Sequence, residues 1–187
     1  MKTDKYKTGS LLLLAFLLIK PAVMEAQEAK LSRQELKEIR QARLEADFHI
    51  LDTLISSRNF VLKADYLRTR DGVLVPVPSG LNFIMVNMDE GVLQTGSNSG
   101  NGYNGVGGVT AQGKIGKWDL SKDSKKLTFT LRFSMLSTIG NYDVLMFIGA
   151  DGNAAATITG MSSGWLTWDG QIYSIGSSRV FKGQETY

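Results

Sequence analysis

The stretch LTFTLRFSM, residues 127–135, decides the fold. Leu127, Phe129, Leu131, Phe133 and Met135 fall on one side of an extended chain. Thr128, Thr130, Arg132 and Ser134 fall on the other. Successive side chains of a strand point to opposite faces, so this alternation predicts a strand with one buried and one wet face. The run at 142–148 differs, because Val144, Leu145, Met146, Phe147 and Ile148 are apolar on both parities. It predicts a strand covered on both sides, with an N-terminal helix as the second cover.

Further strands are expected at 60–67, 73–77, 81–87, 92–95, 109–117, 154–159 and 165–175, giving eight or so short strands. Turn chemistry separates them. Asp71-Gly72, Asp151-Gly152 and Asp169-Gly170 read as hairpin pairs, where the backbone needs positive φ. Pro76 and Pro78 indicate an edge or a strand end, since proline cannot donate to a ladder. Short strands in series with tight turns make a mainly β protein, an antiparallel meander that closes as a small barrel or folds as a sandwich.

Before the strands, residues 31–57 carry helical periodicity. Ser32 and Glu35 form an S-x-x-E capping box. Leu36, Ile39, Ala46, Ile50 and Leu54 share one side, widened by Leu51 and Ile55 towards the C-terminal end. The first half is densely charged, so the second half is expected to dock on the core and the first half to stay solvated. Asn59 is the expected left-handed stop.

The first 26 residues have the layout of a secretory signal peptide. Lys2, Lys5 and Lys7 precede the apolar run at 11–19, Pro21 breaks it, and Ala26 offers a small residue before Gln27. The run is shorter than the roughly 20 apolar residues that span a bilayer. The expected organisation is therefore a signal peptide at 1–26, a helical segment at 27–58 and a β-rich domain at 59–187. The protein is expected to be exported, periplasmic or secreted, and not membrane-spanning after cleavage.

The chain has no cysteine. That excludes disulfides, thiolate metal sites, a thiol nucleophile and a lipoprotein anchor. Without residues 1–26 it holds 17 Lys+Arg against 16 Asp+Glu. A nucleic-acid binder shows a clear basic excess, so no nucleic-acid partner is expected. His49 is the sole histidine and lies on the helix. One His and no Cys do not build a usual transition-metal site, and no G-x-S-x-G elbow presents a serine. Asp65, Asp89, Glu90, Asp119, Asp143 and Asp169 leave carboxylate chemistry open, although several sit in turn signals. No metal, cofactor or catalytic set is expected.

The segment 96–116 is rich in glycine. Residues 100–105 match G-x-G-x-x-G, but no helix follows to meet a pyrophosphate, so a nucleotide site is not expected. A long hairpin loop is, with Tyr103 at its tip between Asn101 and Asn104. Loops on a rigid scaffold often carry binding, and Tyr and Asn are adaptable contact residues. Trp165 and Trp168 must face opposite sides of their strand, one towards the core and one towards a cavity or a partner.

Gly102-Tyr103-Asn104-Gly105-Val106-Gly107-Gly108-Val109 resembles the signature of an uncharacterised family of exported proteins from Gram-negative gut anaerobes, known as a domain of unknown function. Asn59-Phe60-Val61-Leu62-Lys63-Ala64-Asp65, Tyr142-Asp143-Val144 with Asp151-Gly152, and Ser178-Arg179-Val180-Phe181 fit the same pattern. The likeness covers about 60–183. It implies export and a compact β-rich domain, and it supplies no activity.

These readings converge on an exported, non-enzymatic binding domain using the loop at 97–108 and neighbouring strand ends. The candidate contacts are Asn101, Tyr103, Asn104, Trp165 and Trp168, and the partner is a small molecule or an envelope protein. The alternatives are a structural or protein-interaction module of the envelope and a carboxylate-dependent hydrolase. N-terminal sequencing of the protein isolated from its own host is expected to begin at Gln27. Recovery of residues 1–26 on the isolated protein would refute cleavage.

Overall fold

The computed structural model describes residues 32–68, 71–98, 102–160 and 165–187. The signal peptide expected at 1–26 lies outside them. One helix, α1 (Arg33–Ser56), precedes nine strands: β1 (Asn59–Arg68), β2 (Leu74–Pro76), β3 (Phe83–Asn87), β4 (Glu90–Thr95), β5 (Val109–Asp123), β6 (Thr128–Ser137), β7 (Gly140–Gly149), β8 (Asn153–Thr159) and β9 (Trp165–Ser174). All pairings are antiparallel. β1 pairs with β3 on one side and β9 on the other, so β1 and β3–β9 close an eight-stranded barrel. The barrel and not the sandwich is therefore correct. β2 is a short added strand beside Tyr66–Arg68, and Pro76 sits at its end.

The alternation in β6 sets the interior. Phe129, Leu131, Phe133 and Met135 point inward and are buried. Leu62, Ile84, Leu93, Met146 and Trp168 fill the same space. Leu127 is not part of the strand, for it holds φ 54° in the β5–β6 turn.

Asp71-Gly72 and Asp151-Gly152 do form turns, with positive φ at both glycines. Asp169-Gly170 does not. Both residues lie inside β9, with Gly170 opposite Ala64 on one side and Ala154 on the other. A Cβ on Gly170 would lie 1.8 Å from the Lys63 carbonyl oxygen. The glycine therefore serves close backbone approach at the closing seam, beside the irregularity between Ala64 and Tyr66. β5 also outruns its expected end at Lys117. A bulge between Gly116 and Asp119, with Lys117 at φ 44°, lets the strand bend and continue to Asp123.

The capping box forms as read: the Glu35 amide donates to Ser32 Oγ at 3.2 Å, and the Ser32 amide donates to Glu35 Oε2 at 2.7 Å. The docked face of α1 is the expected one only in part: Leu51, Leu54 and Ile55 dock and the charged first half stays exposed, but Phe48 and Leu44 take the place of Ala46 and Ile50. Phe48, Leu51 and Ile55 are buried, with Leu44 and Leu54 partly so, whereas Leu36, Ile39 and Ile50 are exposed. Phe48 decides this, since its ring stacks on Phe129 with centroids 4.4 Å apart. Nor does the helix cover β7. It closes the barrel end at the β5–β6 turn, near Phe129, where Asp52 forms an ion pair with Lys122 of β5. The Lys122 hydrogen bond holds the Asp52 carboxyl below the usual carboxylate range, against a smaller opposing effect of burial. Phe147 of β7 consequently faces outward and is 54% exposed.

The left-handed stop after α1 is Arg58 at φ 52°, not Asn59, which begins β1. The Arg58 guanidinium lies 4.7 Å from the Trp118 ring centre, and its carbonyl accepts from the Met88 amide at 2.7 Å. These contacts offset the steric cost of the left-handed region for a side chain with a Cβ.

Deleting the Phe48 ring removes a buried aromatic and its stacking partner. Phe48→Ala is expected to lower unfolding stability by about 3–5 kcal/mol in urea titrations, whereas Lys37→Ala, at an exposed position of the same helix, is expected to change it by less than about 0.5 kcal/mol.

Candidate functional site

The glycine-rich loop joins β4 to β5 at the barrel end opposite α1, and it is fastened from within. Asn104 is 1% exposed. Its amide nitrogen donates to the Thr95 carbonyl at 3.1 Å and to Thr110 Oγ1 at 2.9 Å. Its amide oxygen accepts from the Val106 and Gly108 amides at 3.1 and 3.0 Å. Both donors and both lone pairs are thus used inside the protein. Gly102 is packed where a Cβ would meet the Gly108 nitrogen at 2.0 Å.

Residues 178–187 brace the loop from outside. The Gln184 amide donates to the Asn104 carbonyl, and the Thr186 amide donates to the Thr110 carbonyl, each at 2.9 Å. Gln94 is fully buried beneath this tail. It donates to the Leu81 and Phe181 carbonyls and accepts from Thr110 Oγ1 and the Gly183 amide. Val61, Phe83 and Val92 form a second apolar cluster on the outside of the wall, joined by Met85, Ile175 and Val180. This cover is not legible in the sequence, because a tail of mixed polarity has no period.

The five sequence-derived candidates therefore separate. Asn101 lies outside the described residues. Tyr103 is 88% exposed and lines a hollow with Gln184, Glu185, Thr186 and Tyr187. Asn104 is the buried fastener of the loop. Trp165 is exposed near the start of β9, and Trp168 is fully buried in the barrel. The Trp168 indole nitrogen is a buried side-chain donor without a hydrogen-bond partner.

A second hollow escaped the sequence reading. Tyr66, Asp169, Ala155 and Phe147 lie opposite one another across β1, β9, β8 and β7. Tyr66 and Phe147 are both exposed, and the small Ala155 lies between them, so the row forms a trough on the outer wall. Asn153 and Gln171 edge it. The Gln171 amide donates to Asn153 Oδ1 at 3.2 Å and its oxygen accepts from the Tyr173 hydroxyl at 2.8 Å, which fixes both amides. Asp65 and Asp169 line the same trough. The Asp169 carboxylate is held by Arg68 through two hydrogen bonds, at 2.9 and 2.6 Å. The sign available in the sequence was the outward parity of Phe147, which was assigned to helix cover instead.

Among the described residues, no group of three or more His, Cys, Asp or Glu is placed to hold a metal ion. His49 lies on the exposed side of α1 with its ring edge-on to Phe48.

The sequence matches the model of a family described as a domain of unknown function, DUF4251, over residues 42–172. The chain belongs to that family. A crystal structure of a DUF4251 family protein from Bacteroides eggerthii is similar to it, with a TM-score of 0.63 at 28% sequence identity. The likeness covers 75% of this chain and 96% of that one. No curated protein matches. The DUF4251 span begins within α1 and ends in β9. It contains the docked half of the helix, the barrel, the glycine-rich loop and the trough. The stretch from Ser178 to Phe181 lies beyond it.

Removing the Asn104 side chain takes a partner from the buried Thr110 hydroxyl, the half-buried Thr95 carbonyl and the half-buried Val106 and Gly108 amides. Asn104→Ala is expected to destabilise this DUF4251 domain by roughly 2–4 kcal/mol, given about 1–3 kcal/mol per orphaned buried group. Tyr103→Ala is expected to shift stability by less than about 0.5 kcal/mol. Paired urea titrations check both, and equal losses would refute the division between fastener and exposed tip.

Proposed function

We propose that this chain is a non-enzymatic binding domain that works after export. Its ligand surface is the outer-wall trough between Tyr66 and Phe147, and its ligand is a carbohydrate or a similarly polyhydroxylated molecule. The observation that carries this reading is the single cross-strand row Tyr66–Asp169–Ala155–Phe147. It holds two exposed aromatic faces on a rigid sheet with a small residue between them. Flat aromatic rings cover the apolar faces of a sugar ring. The preset amides of Asn153 and Gln171 offer donors and acceptors to its hydroxyls.

Export is supported by the signal-peptide layout of residues 1–26. The distribution of polarity also favours an aqueous setting. The interior is packed with apolar side chains, while Lys114, Arg132 and Asp143 stand on the exposed or half-buried wall. An outer-membrane barrel has the reverse arrangement, with a polar lumen and an apolar wall. Catalysis by a carboxylate pair is disfavoured because Asp169 is committed to Arg68.

The loop supplies a second reading, supported by the exposure of Tyr103 above the hollow it shares with Tyr187. Isothermal titration with a panel of soluble oligosaccharides separates the two. Wild-type binding that falls at least tenfold in Phe147→Ala and Tyr66→Ala, and holds in Tyr103→Ala, supports the trough. The opposite pattern assigns binding to the loop. Absence of binding to every member of the panel would refute the carbohydrate reading.

A further inference from the structure

The face of α1 that the barrel leaves open has a regular order. Leu36, Ile39, Arg43, Ala46 and Ile50 follow one another at intervals of three, four, three and four residues. That is the a/d spacing of a coiled-coil seam. Leu36, Ile39 and Ile50 are 48%, 55% and 66% exposed. The docked face, Leu44, Phe48, Leu51 and Ile55, lies about a third of a turn away, so a second helix on the stripe would not displace the barrel. The first half of α1 is exposed throughout. Its described support consists of the capping box and side-chain pairs such as Gln34–Glu38 and Gln41–Glu45. A helical segment of that length is marginal in water without tertiary packing.

We propose that this stripe is the seam of an antiparallel two-stranded coiled coil between the α1 helices of two copies of this chain. Charge selects the orientation. A parallel pair would set Arg43 against Arg43 within the seam. In an antiparallel pair a positions face d positions, and three registers keep the stripe in contact. One sets Arg40 beside Arg40, and another sets Asp47 beside Asp47. The third places Ile39 of one copy against Ile50 of the other, Arg43 against Ala46, and Arg40 beside Asp47. Twofold symmetry makes each of these contacts twice. Asp47 then lies between Arg40 of the other copy and Arg43 of its own chain, to which it is already joined at 3.8 Å. This inference rests on the helix alone and is independent of the trough and its ligand.

The test is sedimentation equilibrium on the full-length gene product, as it accumulates in cells, over about 1–100 µM. A mass of two chains is expected. Ile39→Glu is expected to weaken the dimer at least tenfold. Arg40→Asp alone is expected to weaken it, and Arg40→Asp with Asp47→Arg to restore it. Ile39 is exposed in the single chain, so a retained near-ultraviolet circular dichroism spectrum and cooperative unfolding will show that the variants fold, with the transition lowered only by loss of the dimer. Orientation is read by cross-linking, which is clean because the chain has no cysteine. Ile39→Cys mixed with Ile50→Cys is expected to form a disulfide dimer, and Ile39→Cys alone is not. A monomer throughout, a dimer indifferent to Ile39→Glu, or self-cross-linking of Ile39→Cys would overturn the proposal.

Discussion

Everything in this molecule depends on the seam between β1 and β9. An antiparallel meander ends in two open edges, and unpaired edges recruit other strands. Here the first and last strands of the wall meet along Phe60–Arg68 and Thr167–Ser174 and remove the problem. The seam needs a backbone approach that a Cβ at position 170 would block, and it absorbs one extra residue at Asp65. Once it is closed, the alternate residues of eight strands share one interior. A helix then needs only three large side chains, Phe48, Leu51 and Ile55, to stop one end.

The two ends of the barrel are finished by different physics. At the helix end the cover is apolar, with Phe48 stacked on Phe129, and the Asp52–Lys122 ion pair ties the helix to the wall. At the loop end order comes from a buried polar network. Gln94, Asn104 and Thr110 are connected side chain to side chain, and their partners come from the loop and the tail. Such a network is stable only when every member is satisfied. That requirement explains how residues 102–108, rich in glycine, are held in place.

What could be read from sequence was what local periodicity controls. The nine strands, the capping box and the half-docked helix all follow from spacing that each segment carries in itself. The readings that failed depended on partners far away in the chain. Gly170 looks like a turn glycine until β1 is placed behind it. Arg58 looks less suited than Asn59 to a left-handed bend until Trp118 lies under its guanidinium. Asn104 looks like an exposed contact residue until Thr110 and Gln184 reach it. The docked face of α1 is only half legible, because two apolar stripes share Leu51, Leu54 and Ile55 at their border and the Phe48–Phe129 stack decides between them. Of the candidate site, the exposure of Tyr103 was legible. The trough was not, because it is assembled from four strands whose order only closure defines.

The tail has a further consequence for truncation. Chain ends usually tolerate loss, since few contacts hold them. Here the Phe181 carbonyl, the Gly183 amide and the Thr186 amide and hydroxyl complete the hydrogen bonding of Gln94 and Thr110, both fully buried. Truncation between Ser178 and Thr186 therefore does not trim a loose end. It uncovers polar groups that the wall has already committed to the interior. Residues 181–186 belong to the loop end of the barrel as much as the strands they cover.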